Sequence, residues 1–176
     1  MQRCLRIPRT LHILPKVAKC PPTPIPMAGL DPGTNTFQTL YDNDNKVSQF
    51  GYEKPENINY FQEQVVEYLI EEYTFVFLPR FRISSFWNHE RFYDIMNTSH
   101  SGCIDIDEYL TSQICSSCGK RNKCGKIYRC QCGNIMDRDS NAAKNILQRG
   151  TLKVANVLPL HADNQSEELD SDPFSY

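Results

Sequence analysis

The sequence predicts an α/β fold, a mixed sheet with helices, carrying a metal-binding ribbon near its end. Three observations lead there. Residues 26–52 hold short apolar runs separated by turn residues, which is how strands and their connections read. From Asn59 the apolar spacing switches to a helical period. Between Cys115 and Leu147 two close cysteine pairs, a paired-aspartate turn and a helix start fall in one unbroken segment. A length of 176 residues suffices for one such domain, or for a small domain with an appendage.

The elements follow in order. Residues 1–25 form an irregular lead-in, because the proline-rich run that ends in PPTPIP supports neither helix nor sheet. MAGLDPGTNTFQTLYDNDNKVSQFGY then reads as a strand ending at Asp31, a Pro32-Gly33 turn and a strand over Thr36–Tyr41. A polar Asp-Asn-Asp turn leads to a third strand over Val47–Tyr52. Phe61, Val65, Leu69 and Glu72 follow one helical row, with Val66, Ile70 and Tyr73 beside it. Asn59 is placed to cap this helix, with Gln62 three residues on. TFVFLP, residues 74–79, is short, apolar and aromatic, as a buried strand is, and Trp87–Met96 is a second helical segment. Ile104–Tyr109 alternates apolar and acidic residues in the manner of a half-exposed strand. After the ribbon a helix runs from about Ser140 to Gln148, capped by Asp139 or Ser140. Its apolar face is Ala142, Ala143, Ile146 and Leu147, and Gly150 stops it. The chain thus divides into a core of residues 26–110 and 137–150, a ribbon insert of residues 111–136 and a disordered acidic tail, 151–176.

The net charge of -2 conceals a strong segregation. Lys120, Arg121, Lys123, Lys126 and Arg129 crowd the ribbon, with Arg138, Lys144, Arg149 and Lys153 after it, against only Asp137 and Asp139 in the same stretch. A local basic surface attracts phosphate whatever the total charge, so these five ribbon cations are the expected nucleic-acid contacts. No window approaches the roughly 18 to 20 apolar residues of a membrane span, which excludes a membrane-embedded role for this sequence. Five of the eight cysteines fall between Cys115 and Cys132, too crowded for ordinary disulfide loops, and no apolar secretory segment precedes them. An intracellular, reducing setting is expected: the nucleus in a eukaryote, the cytoplasm otherwise.

Cys115 and Cys118 are two residues apart and followed by Gly119, the pattern of a knuckle whose amide hydrogens turn toward sulfur. Cys130 and Cys132 have a single residue between them before Gly133, a departure from the usual spacing. These four thiolates are the expected ligands of one structural Zn²⁺ ion, and Cys124 remains an alternative for either member of the second pair. Three acids fall where nucleic-acid chemistry could use them. Asp31 ends the first strand, Glu108 the strand before the ribbon, and Asp139 opens the last helix. Two-metal phosphodiester hydrolysis needs carboxylates converging from separate elements, which sequence spacing cannot establish. Taken singly, Asp31 reads as a turn former, Glu108 as a surface strand residue and Asp139 as a helix cap.

DPGTNTFQTLYD, LPRF, DEYLTSQICSSCG and CGNIMDRDSNAAKNIL together resemble the C-terminal half of the transposon-encoded TnpB/OrfB proteins, and the eukaryotic and viral Fanzor branch in particular. Compact type V CRISPR effectors are more distant relatives. The resemblance covers residues 26–150 and is most specific from Glu108 to Leu147. It implies an RNase H-like, RuvC-type core interrupted by a zinc-ribbon target-nucleic-acid-binding (TNB) domain, and RNA-guided DNA cleavage that uses Mg²⁺. By position, Asp31 matches the first RuvC aspartate and Asp139 the third acid, with Asp137 as its neighbour and helper. The second acid departs from the pattern. Many relatives carry a glutamate at the end of the strand that here reads TFVFLPRF, where this chain has Leu78 and Pro79, and Glu108 matches the displaced glutamate of Fanzor-like members.

Family members also carry an N-terminal part that holds the guide RNA, which residues 1–25 cannot form, and longer helices where this chain has the segment between Phe81 and Gly102, so a nuclease half with an incomplete core is expected. The first expectation is therefore a zinc-ribbon DNA-binding protein derived from such a nuclease. The second is a Mg²⁺-dependent endonuclease using Asp31, Glu108 and Asp139, with a guide RNA as a further partner. The third is a transposon fragment without function.

Overall fold

The computed structural model describes residues 24–51, 54–80 and 87–157. Most of the proline-rich lead-in, Tyr52 and the tail from residue 158 lie outside them. Strands β1 (Met27–Pro32), β2 (Gln38–Asp42) and β3 (Val47–Phe50) form an antiparallel meander. Helix α1 (Ile58–Glu72) then returns the chain to β4 (Phe75–Leu78), which lies parallel to β1 on its other side. Helix α2 (His89–Ser99) leads to β5 (Cys103–Asp105), parallel to β4. The sheet order is β3-β2-β1-β4-β5. This is the mixed α/β sheet with helices the sequence leads one to expect. The ribbon hairpin, β6 (Ile127–Arg129) and β7 (Ile135–Asp137), forms a separate two-stranded sheet, and α3 (Arg138–Val157) follows it directly. No helix among the described residues is long and apolar enough to cross a membrane.

Strand alternation sorts the core into two layers. Ala28, Leu30, Leu40, Val76 and Leu78 face α1 and α2, where Phe37, Trp87, Phe92 and Met96 complete the larger cluster. Tyr41 and Phe77 point the other way, against Ala143, Ile146, Leu147 and Val154 of α3. Gly29 belongs to this second face, since it opposes Tyr41 on β2 and Phe77 on β4. A Cβ there would stand 2.4 Å from the Ala143 carbonyl oxygen and 2.5 Å from the Leu147 nitrogen. The bare backbone is what lets α3 lie directly on β1.

Several local expectations shift. The cap of α1 is Asn57, whose side chain accepts from the Tyr60 N–H at 3.1 Å, and Asn59 is already helical. Apolar periodicity fixes a helix's face but not which of two nearby asparagines starts it. Gln62, expected in a capping role, is instead fully buried. Its amide donates to the carbonyl oxygens of Trp87 and Asn88, and its oxygen accepts from Arg91 at 2.9 Å, fastening α1 to the start of α2. The strand expected over Ile104–Tyr109 ends at Asp105, because the following carbonyls are taken by side chains of α3. The last helix begins at Arg138 and is capped by neither Asp139 nor Ser140. Asp137 Oδ1 accepts both their N–H groups, each at 3.0 Å.

Gly150 does not stop α3, which continues to Val157, seven residues into the expected tail. It is a packing residue: a Cβ would lie 2.1 Å from Cγ of Phe77. Alanine is favoured over glycine inside a helix by about 1 kcal/mol, while overpacking a core costs about 1–3 kcal/mol. Gly150→Ala is therefore expected to be destabilising by about 2 kcal/mol, since the fully buried Phe77 ring must give way from its root. Gly29→Ala meets backbone atoms that cannot, and should cost about 3 kcal/mol or more. Urea unfolding midpoints check the order, and a Gly29→Ala midpoint equal to wild type would refute the close contact.

Candidate metal centre and acidic cleft

Two tight turns build the cysteine cluster. The Gly119 N–H donates to the Cys115 carbonyl at 2.9 Å, and the Cys115 N–H to the Lys120 carbonyl at 3.0 Å, with Gly119 at φ 73°. The second knuckle closes despite its one-residue spacer. Gly133, at φ 92°, donates to the Cys130 carbonyl at 3.0 Å, and Cys130 donates to the Asn134 carbonyl at 2.9 Å. The left-handed backbone at both glycines is a conformation that L side chains rarely adopt. Tyr128, fully buried, ties the hairpin to the first knuckle by sharing its hydroxyl between the Gln113 and Lys120 carbonyls, at 3.2 and 3.3 Å.

The four sulfurs of Cys115, Cys118, Cys130 and Cys132 all lie within 4.8 Å of one another. Cys115 and Cys132 are 3.6 Å apart, and Cys118 and Cys130 are 3.5 Å apart. A tetrahedral zinc with Zn–S bonds near 2.3 Å sets its sulfurs ~3.8 Å apart, so this donor set fits that ion in number, chemistry and spacing. Side-chain amides reinforce it: Asn134 donates to the Cys115 sulfur at 3.4 Å and Asn122 to the Cys130 sulfur at 3.3 Å. Burial opposes ionisation of Cys115, yet the Ser117 N–H, the Asn134 amide and the Cys118 N–H draw its thiol down to about 6. Cys132 moves the opposite way, up to about 12. The Asn134 N–H favours its thiolate, but the adjoining Cys130 and Cys118 sulfurs outweigh it. Four thiolates so close repel one another, and a dication relieves that repulsion. Cys124 stands outside the cluster, its thiol donating to the Ser112 carbonyl at 3.0 Å.

Lys120, Arg121, Lys123, Lys126 and Arg129 are all exposed on the ribbon. Arg121 is anchored by two bonds from its guanidinium to Gln113 Oε1, at 3.0 and 2.8 Å.

Asp31, Glu108 and Asp139 line one open cleft of about 430 Å³, with the Gly33–Thr36 loop, the Tyr109–Ser112 turn and Arg138 around them. The strand–helix contact explains two of the three. Asp31 follows Gly29 by two residues and so shares its α3-facing side, and Asp139 lies one turn before Ala143. Burial, and then the charges of Asp139 and Glu108, push the Asp31 carboxyl well above the usual range, with Arg138 opposing. Glu108 is also raised, by burial first and then by Asp107. Arg138 Nε donates to Asp139 Oδ1 at 3.0 Å. Asp137, matched as a helper of Asp139, spends its Oδ1 on the helix cap.

The chain is similar to several known proteins. The model described as Cas12f1-like, TNB domain, matches residues 97–146. A putative transposase of Acanthamoeba polyphaga mimivirus is 24% identical over 206 aligned residues, 78% of this chain and 42% of the relative. A TnpB-like protein of the same virus is 54% identical over 50 residues, 27% of this chain and 10% of the relative. The chain is thus similar to TnpB-like proteins over part of its length. Among solved structures, the cryo-EM structure of a Cas12f1–sgRNA–target DNA complex aligns with a TM-score of 0.55 at 15% identity, over 72% of this chain and 50% of that one. The shared property there is the fold. The chain thus spans half or less of the length of these relatives.

Sequence reasoning missed the residues that support both sites: Asn122 and Asn134 at the sulfurs and Arg138 in the cleft. Asn134 had a local signal, directly after the Gly133 knuckle. Arg138, between two aspartates, had one as well.

The raised Asp31 carboxyl carries a stability consequence with a definite sign. The folded chain holds this proton more tightly than the unfolded one, so the stability it contributes is present at acidic pH and lost as pH rises through the folded value. Without added divalent cations, Asp31→Asn is expected to raise the thermal midpoint at pH 7–8, and the gain should vanish toward pH 4. A midpoint lowered at neutral pH would contradict the crowding of these carboxylates.

Proposed function

We propose that this TnpB-like chain binds DNA through a zinc-stabilised ribbon. The observation that carries the reading is the cysteine tetrad, all four sulfurs within 4.8 Å, in a ribbon whose surface is basic. Zinc held by Cys115, Cys118, Cys130 and Cys132 supplies a cross-link between two turns that have little apolar core of their own. Lys120, Lys123, Lys126 and Arg129 then meet phosphates, giving salt-sensitive binding with little sequence preference. The match to a TNB-domain model supports the same reading, as does the fold shared with Cas12f1, a protein solved in complex with sgRNA and target DNA.

Purified protein is expected to contain one zinc per chain by elemental analysis. Cys118→Ser should lose it and Cys124→Ser keep it. Replacing Lys120, Lys123, Lys126 and Arg129 by alanine should weaken DNA binding and flatten its salt dependence, by roughly 0.7 to 0.9 in log–log slope for each phosphate that is no longer neutralised. Zinc-free wild-type protein, or binding unchanged from low to high salt, would overturn the proposal.

A second reading is favoured by a specific observation: Asp31, Glu108 and Asp139, from three separate elements, line one cleft. Three carboxylates facing an open cleft suit hard divalent cations. Mg²⁺ bound there supplies an activated water and a stabilised leaving oxygen for phosphodiester hydrolysis. The carboxylates hold and space the ions, and Arg138 offers a cationic group at the same wall. A guide RNA is the partner this RuvC-type reading implies. Mg²⁺-dependent nicking of DNA is expected to fall to background in Asp31→Ala and Asp139→Ala, because each removes a carboxylate that would hold the ions. Equal activity in wild type and variants would mark the nicking as contamination and sink this reading.

A further inference from the structure

Between the end of β5 at Asp105 and the first knuckle at Cys115, no regular strand forms. Several carbonyls along this stretch are taken instead by side chains of α3. Lys153 Nζ donates to the Asp105 oxygen at 2.9 Å. Asn141 and Asn145 share the carbonyls of Thr111 and Ile114, at 2.7–3.3 Å. Gln148 holds the Ser116 oxygen at 2.9 Å. Asn141, Asn145, Arg149 and Lys153 recur every four residues, so they line one stripe of the helix.

Within that stripe Arg149 is distinct. One guanidinium nitrogen donates to the Asp107 carbonyl at 2.6 Å and another to the Tyr109 carbonyl at 2.9 Å. These are the two carbonyls that flank Glu108 in the chain. The Glu108 carbonyl itself is held by Thr111, through N–H and hydroxyl at 3.1 and 2.9 Å. The turn is completed by Tyr109 N–H on Asp107 Oδ1 at 2.9 Å and by Leu110 at φ 62°, an unfavoured backbone for a branched residue. A planar fork fixes two acceptors in a set relation, which neither lysine nor a neutral amide does at this reach.

We infer that Arg149 is a positioning residue for the cleft: by holding the carbonyls of the residues before and after Glu108, it sets where that carboxylate stands opposite Asp31 and Asp139. The inference rests on the cation-binding reading of the cleft. It adds that Glu108, the one carboxylate of the three carried on a loop, depends on a cation of α3. Arg149 touches neither metal nor nucleic acid in this role; it acts through the backbone.

The test is Mn²⁺ titration of the full chain, read by the electron paramagnetic resonance of free Mn²⁺, with zinc content measured in parallel. Supporting groups of this kind are worth roughly 10- to 100-fold in metal affinity. Arg149→Ala is expected to weaken Mn²⁺ binding about 10-fold, with Arg149→Lys in between because it keeps one donor, and with zinc content unchanged. In a Glu108→Gln background, Arg149→Ala should add nothing further. Arg149→Ala that leaves Mn²⁺ affinity at the wild-type value while Glu108→Gln lowers it overturns the inference. So does an equal loss in both backgrounds, which would mean general loosening. If Arg149→Ala loses its zinc or its circular dichroism signal, Arg149→Lys carries the same comparison. If Glu108→Gln leaves the affinity untouched, the cleft reading fails first, and the inference falls with it.

Discussion

The structure depends on the approach of α3 to β1 over the bare backbone of Gly29. That one contact sets the depth at which the helix lies on the sheet, and with it the separation of the first strand from the first helical turn. The neighbouring glycine of the same design, Gly150, does the same over the Phe77 ring two turns later. Between them they lay α3 across β1 and β4 in a single pose. Ile146, Leu147 and Val154 then fill the remaining space.

The opposite face of α3 has a different task. It supplies donors to carbonyls of the irregular chain between Asp105 and Ser116. A buried carbonyl left without a donor costs about 1–3 kcal/mol, and the side-chain amides of Asn141 and Asn145 remove that cost at Thr111 and Ile114. Asn141 also accepts from the Ser116 N–H at 3.1 Å, so the same residue reaches the first knuckle. One helix therefore carries the hydrophobic contact, the irregular loop and the root of the ribbon. The ribbon itself contributes a single large buried side chain, Tyr128, and is held for the rest by hydrogen bonds around sulfur.

Much of this was legible in the sequence, and the reasons are local. Pro32-Gly33 and the Asp-Asn-Asp run mark turns by their own backbone preferences. Cysteine spacing, glycine included, marks the knuckles even with one residue missing from the second. What was hidden depends on partners far along the chain. Gln62 reads as a capping residue until Trp87 and Asn88 are seen against it. Gly150 reads as a stop signal until Phe77 is. The Asn141–Thr111 and Arg149–Asp107 bonds span 30 and 42 residues and leave no periodic trace. Among the acids, sequence could name Asp31, Glu108 and Asp139 but not bring them to one cleft, and it could not tell that Asp137 serves as the cap.

The Gly29 contact also governs where this chain can tolerate changes in length. A one-residue slip in β1 turns Asp31 to the sheet's other side, against Phe37 and Trp87, because side chains alternate strictly along a strand. An insertion between Asp139 and Ala143 rotates the helix start by a quarter turn or more, with the same result. The short loop around Gly125, where a Cβ would meet nothing within 4 Å, is free of both restrictions. Drift in loop length should collect there, at the far tip of the ribbon, while the spacing from Gly29 to Asp31 stays fixed.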